Sequence, residues 1–133
     1  MILIKKIFLF VILFPIIGIQ STIADNFNSD LREIRSEINR DNLNEAIQKI
    51  KKIKISNEIE QEKIDLLFGD IYLKINQIDK AEEFYQKTFF TSNEEIETLT
   101  FIGLAEVRLA QGKLDSAIKY AEQSIKINPN KVR

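Results

Sequence analysis

Three short segments recur along this chain at almost constant spacing. Asp41-Asn42-Leu43-Asn44-Glu45-Ala46, Asn76-Gln77-Ile78-Asp79-Lys80-Ala81 and Gly112-Lys113-Leu114-Asp115-Ser116-Ala117 align at offsets of 35 and 36 residues. A period of that length means that one supersecondary unit is stacked on copies of itself, each burying its apolar face against its neighbours. The aligned positions have physical meaning. The first holds Asp41, Asn76 or Gly112, the residue types that best tolerate the left-handed backbone conformation that ends a helix. The position two residues on is always Leu or Ile, and the position five on is always Ala, small enough to let two helices approach closely.

The repeated unit reads as helical. Ile59, Ile64, Leu67, Phe68, Ile71, Tyr72 and Ile75 recur at three- and four-residue intervals, as one face of a helix requires. A similar pattern in 96–109 is apolar almost all round, which places that helix between neighbours. Six helices are expected, over 26–40, 43–55, 58–75, 78–91, 94–111 and 114–127. Asn57 with Glu60, and Ser92 with Glu95, have the spacing of a capping box at the starts of the third and fifth. Gly69 is assigned to close helix packing and Gly112 to helix termination. The fold class is therefore all-α.

These residues resemble the tetratricopeptide repeat family. Its pattern is Leu-Gly, an aromatic three residues later, then Ala, a second aromatic four beyond it and a closing Pro. Residues 58–91 supply Phe68-Gly69, Tyr72, Ala81 and Tyr85; residues 94–129 supply Phe101, Leu104-Ala105, Gly112, Ala117, Tyr120 and Pro129. Residues 26–55 form a degenerate copy in which Leu31, Ile34 and Ile38 keep the spacing but sit one residue out of register with Ala46; its second helix, 43–55, is the more secure part. Arg108 and Ala121 stand where aromatics belong, and Asp65 stands at the usual Trp position. The resemblance implies a right-handed α-solenoid of about three helix-turn-helix repeats.

The first 24 residues read differently from the rest. Lys5 and Lys6 precede the apolar run Ile7 to Ile19, and Gln20 to Ala24 are small or polar, the order of a secretory signal peptide with cleavage after Ala24. The domain is then 25–133. The apolar run falls short of the roughly 20 residues that span a bilayer, and Pro15 interrupts it. The expected location is outside the cytoplasm, with the periplasm first and an inner-membrane anchor, if the segment is retained, as the alternative. All 20 acidic residues follow Ala24 and two of the 19 basic ones precede it, leaving the remainder at −3, a balance that does not attract nucleic acid.

The chain contains neither His nor Cys. Thiol nucleophiles, a Ser-His-Asp arrangement and the usual zinc ligands are thereby excluded. Neighbouring carboxylates such as Glu82-Glu83 and Glu94-Glu95 do not face each other on a helix, so they read as solvated or as charge at a helix N-terminus. No glycine-rich loop is present to cradle a phosphate. No catalysis, cofactor or metal is expected. Arg32, Arg35 and Arg40 with Lys49, Lys51, Lys52 and Lys54 read as solvated faces. Tyr72, Phe84, Tyr85, Phe89, Phe90 and Phe101 read as core.

The family resemblance implies a concave groove lined by the first helix of each repeat. On this chain those positions are Lys63, Leu66, Asp70, Leu73 and Lys74, then Leu99, Ile102, Glu106, Leu109 and Ala110. The groove is expected to be apolar with two acidic points, Asp70 and Glu106, suiting a partner helix or extended peptide that carries Lys or Arg. Family members that grip a terminal carboxylate use Lys and Asn at comparable places, and Leu66, Asp70, Ile102 and Glu106 stand there instead. The competing expectation for Leu66, Ile102 and Leu109 is simple burial between helices. The expected role is a protein-binding adaptor of the bacterial cell envelope. Alternatives are a structural subunit that self-associates through Ile118, Tyr120 and Ile125 of its last repeat, or a piece of a longer repeat protein.

Overall fold

The computed structural model describes residues 26–130, and the expected signal segment lies outside them. The described residues form helices and no strand. Helix α1 occupies 26–39, followed by α2 (Leu43–Ile50), α3 (Glu58–Lys74), α4 (Ile78–Lys87), α5 (Glu94–Ala110) and α6 (Leu114–Ile127). Two compact units meet in sequence at Lys54 and Ile55. In the first, Phe27, Leu31, Ile34 and Ile38 of α1 and Ala46 and Ile50 of α2 are buried. Lys49 of α2 reaches Glu33 of α1. In the second unit α3 packs on α4, α4 on α5 and α5 on α6, while α3 also touches α5.

The repeating turn has the expected backbone. Asp41, Asn76 and Gly112 adopt φ of 65°, 60° and 73°, the left-handed region. Each closes its helix with the same pair of bonds. The Gln77 N–H donates to Tyr72 C=O at 2.9 Å and the Asn76 N–H to Leu73 C=O at 3.0 Å; Lys113 to Arg108 (2.8 Å) and Gly112 to Leu109 (2.9 Å) repeat the pattern, as do Asn42 to Glu37 and Asp41 to Ile38. This satisfies carbonyls that a helix end otherwise leaves open.

Two helices are shorter than expected. Helix α2 ends at Ile50 rather than 55, and its last amides shift to bonds three residues back, Lys52 to Lys49 and Ile53 to Ile50. Continuing it would set Lys49, Lys51, Lys52 and Lys54 along one short helix beside β-branched Ile53 and Ile55, which disfavour the helix. Helix α4 ends at Lys87 rather than 91 because Thr88 turns inward: its hydroxyl lies 2.9 Å from Tyr85 C=O and 2.6 Å from the Thr100 hydroxyl. One cap also moves. The side chain of Asn93, not Ser92, accepts the Ile96 N–H at the start of α5. The other holds: Asn57 accepts the Glu60 N–H at 2.9 Å, and Glu60 reaches back to the Ser56 N–H at 2.7 Å.

The second unit is organised around Tyr85. Its ring is 1% exposed and lies in a core with Leu66, Ala81, Ile96, Leu104 and Val107. The ring sits against the bare backbone of Gly69 on α3 and Gly103 on α5. A Cβ placed on Gly69 would fall 2.6 Å from Tyr85 Cε1, and one on Gly103 closer still. Ala81, 0% exposed, gives α4 its own close approach. The Tyr85 hydroxyl donates to Asp70 Oδ1 at 2.7 Å, so the buried ring keeps a satisfied polar end.

Two glycine substitutions therefore fail for different reasons. Gly103→Ala forces a methyl into a ring that cannot retreat, and it is expected to cost about 1–3 kcal/mol despite Ala's better helix propensity. Gly112→Ala meets nothing within 4 Å but holds an L-residue at φ 73°, costing about 1–2 kcal/mol. Asn76→Gly, at φ 60°, is expected to be neutral or stabilising. Denaturant unfolding of the three variants checks the order.

Candidate functional site

The expected groove positions divide by exposure. Leu66 is 3% exposed and belongs to the core around Tyr85, so of the two readings for it burial is the one observed. Leu73 and Leu99 are partly buried against the same core. Lys63, Asp70 and Ile102 are half-buried, Lys74, Glu106 and Ala110 are exposed, and Leu109 is 55% exposed. The more accessible part of the expected groove thus consists of Asp70 and Lys74 from α3 with Glu106 and Leu109 from α5, beside the partly covered Leu73 and Leu99. It is more polar than a groove lined by all the predicted apolar positions.

Asp70 and Glu106 come from adjacent repeats and share one electrostatic field. Partial desolvation, then repulsion from the Asp70 carboxylate, pushes the Glu106 pKa up. Burial, with the same two carboxylates, pushes the Tyr85 hydroxyl far up, so it remains a proton donor. A cation placed between Asp70 and Glu106 relieves the repulsion, which is the chemical capacity of this face.

A second charged arrangement ties α4 to α5. Arg108 fills the slot where the repeat pattern calls for an aromatic, and its guanidinium grips Glu82 at 2.7 and 2.8 Å while also reaching Gln111 at 2.8 Å. The Glu82 carboxylate therefore bridges helices and is not the solvated group its position suggested; the Arg108 hydrogen bonds hold its pKa down. Glu83 is exposed, and Glu94 and Glu95 stand in the first turn of α5. Asp65, at the usual Trp position, is half-buried, and burial raises its pKa.

Aromatic side chains also divide. Phe68, Tyr72 and Phe84 cluster with centroid separations of 5.2–6.5 Å, and Lys87 Nζ lies 3.8 Å above the Phe84 ring. Phe90, expected in the core, is 93% exposed because α4 has already ended and the chain turns outward. Gly103 escaped the sequence reading altogether. Its signal was available: it lies 34 residues after Gly69, but the alignment used to match Ala81 with Ala117 pairs Gly69 with Ala105.

The two perturbed glutamates predict opposite pH behaviour. The Glu82 pKa is lower in the folded state, so its ionised form contributes stability at neutral pH that is lost as pH falls through that lowered pKa. Glu82→Gln is expected to cost about 1–2 kcal/mol near pH 7 and little in acid. The Glu106 pKa is higher in the folded state, so its ionised form opposes folding at neutral pH and the penalty is relieved on acidification. Glu106→Gln should raise the melting temperature at pH 7 and change it little in acid. Thermal melts across pH check both signs.

Comparison with known proteins bears on the same residues. A family model described as Tetratricopeptide repeat matches residues 66–87 and 100–131, overlapping the second and third expected repeats. No curated protein and no solved structure matches the chain significantly. Sequence match, left-handed turns at Asn76 and Gly112, and buried alanines at Ala81 and Ala117 fall on the same two units, and these two units are tetratricopeptide repeats.

Proposed function

We propose that the chain is a protein-binding adaptor of the cell envelope, holding a basic helix or extended peptide against the face formed by Asp70, Lys74, Glu106 and Leu109. Tetratricopeptide repeats in general are protein-interaction adaptors, typically scaffolds without catalysis of their own. The observation that carries the specific reading is the Asp70 and Glu106 pair: burial and the Asp70 carboxylate of the neighbouring repeat both oppose ionisation of Glu106, and a Lys or Arg side chain beside it lowers that cost. Leu73, Leu99 and Leu109 supply apolar contact beside the charge. The envelope location rests on the order of basic, apolar and small residues in 1–24. Among the described residues no helix is long and apolar enough to cross a membrane.

A second reading is favoured by Leu114, Ile118 and Ile125, which are 60%, 48% and 47% exposed along one side of α6. Such a stripe suits self-association. Sedimentation separates the readings, since a monomer at micromolar concentration removes the second.

The decisive experiment places a photo-crosslinking residue at Leu109 in cells that make the native protein and sequences the captured peptide. The expected product is a segment of another protein with Lys or Arg beside the crosslink, its yield falling at least fivefold with Glu106→Lys. An unchanged yield in that variant, or capture of the chain alone, overturns the proposal. Intact-mass measurement of the exported protein is expected to show a chain beginning at Asp25, and a retained Met1 places it instead at the membrane.

A further inference from the structure

A cleft of about 480 Å³ opens on a different part of the second unit. It is lined by Phe89, in the turn after α4, by Phe101 and Arg108 of α5, and by Ser116, Lys119, Tyr120 and Gln123 of α6. The rings are in contact in series. Phe89 meets Phe101 edge-on at 5.6 Å, and Phe101 stacks on Tyr120 at 6.0 Å. Phe90 extends the row outward, edge-on to Phe89 at 5.1 Å and 93% exposed. A phenylalanine that fully solvated, adjoining a cleft with an aromatic lining, leaves an apolar surface open to a partner.

The charge of the cleft is specific as well. Arg108 lies 5.8 Å over the Tyr120 ring, but its charge is matched by Glu82. Lys119 is exposed and forms no ion pair among the described residues. The cleft therefore presents aromatic faces with one uncompensated positive charge at the rim, opposite in sign to the Asp70 and Glu106 face. The two surfaces select different chemistry.

We infer that this cleft is a second docking site, which takes a peptide segment of a partner protein carrying an aromatic side chain beside a carboxylate. The aromatic side chain stacks among Phe89, Phe101 and Tyr120, the carboxylate lies at Lys119, and Phe90 closes over the segment. The inference does not depend on the basic-peptide reading. The same chain then holds two segments of unlike charge, as a bridging adaptor requires.

The test uses N-acetyl-phenylalanine, which has both groups, and its neutral amide, titrated into the full chain with ¹³C-labelled aromatic rings. Both probes are expected to shift the ring signals of Phe89, Phe101 and Tyr120. The carboxylate form should bind about two- to fivefold more tightly at low salt, as an exposed ion pair allows, with the difference lost in about 1 M salt. Lys119→Gln should equalise the probes, and Phe90→Ser should weaken both. Both substitutions are at exposed positions and leave the core intact, which circular dichroism verifies. Glu106→Lys should change neither affinity, which separates this site from the other face. Equal binding of the two probes, shifts confined to other rings, or no shift at about 10 mM probe overturns the inference. So does movement of the same signals with protein concentration alone, which would make a second copy of the chain the occupant.

Discussion

The close approach of α3 and α5 to Tyr85 is the constraint from which the second unit follows. An aromatic ring fits between two helices and stays 1% exposed only if each helix offers backbone where a side chain would otherwise stand, and Gly69 and Gly103 provide it. Ala81 brings α4 in at the same level. With the ring seated, Leu66, Leu104 and Val107 close around it, and the spacing of the three helices is fixed by contact rather than by the length of the links between them. The hydroxyl of the same residue must then find an acceptor, and Asp70 provides one. Packing and polarity are satisfied by one side chain.

Polar groups carry the junction between the two repeats of this unit to a degree unusual for a small core. Thr88 meets Thr100 at 2.6 Å, Thr91 donates to Glu62 at 2.7 Å, and Arg108 grips Glu82. The first and last of these join different repeats, and the second ties the end of the second repeat to that repeat's own first helix, so together they set register where purely apolar surfaces would allow sliding. The Arg108 pair also explains how the third repeat does without an aromatic at that position. The guanidinium lies 5.8 Å from the centre of the Tyr120 ring and spends its charge on Glu82, so a planar cation stands where the repeat pattern has a ring.

The turns were fully legible in the sequence because left-handed backbone restricts residue type so strongly that Asp41, Asn76 and Gly112 identify themselves. Helix starts were nearly as legible, Asn57 outright and Asn93 by a one-residue shift from Ser92. The ends of α2 and α4 were not. What stops α4 is the partnership of Thr88 with Thr100, twelve residues away, and no local pattern contains it. Exposure at the expected groove positions depends on neighbouring helices, which no local pattern contains: Leu66 turned out to be core and Leu109 surface. Gly103 was missed because the repeats are not in uniform register, and one offset cannot match both the alanines and the glycines. Phe90 was misread because an aromatic residue is ordinarily buried, an expectation that says nothing of where the helix before it ends.

Asp70 belongs to two systems at once. Its carboxylate faces the same field as Glu106, yet one of its oxygens receives the proton of the buried Tyr85 hydroxyl. A basic or apolar replacement at position 70 changes the charge of the face and also strands that hydroxyl, whereas Glu106 and Leu109 have no such hydrogen bond to the core. Substitution is thus free to run along α5 and is held back on α3, so that relatives of this chain should diverge on one side of the face while keeping an acceptor on the other.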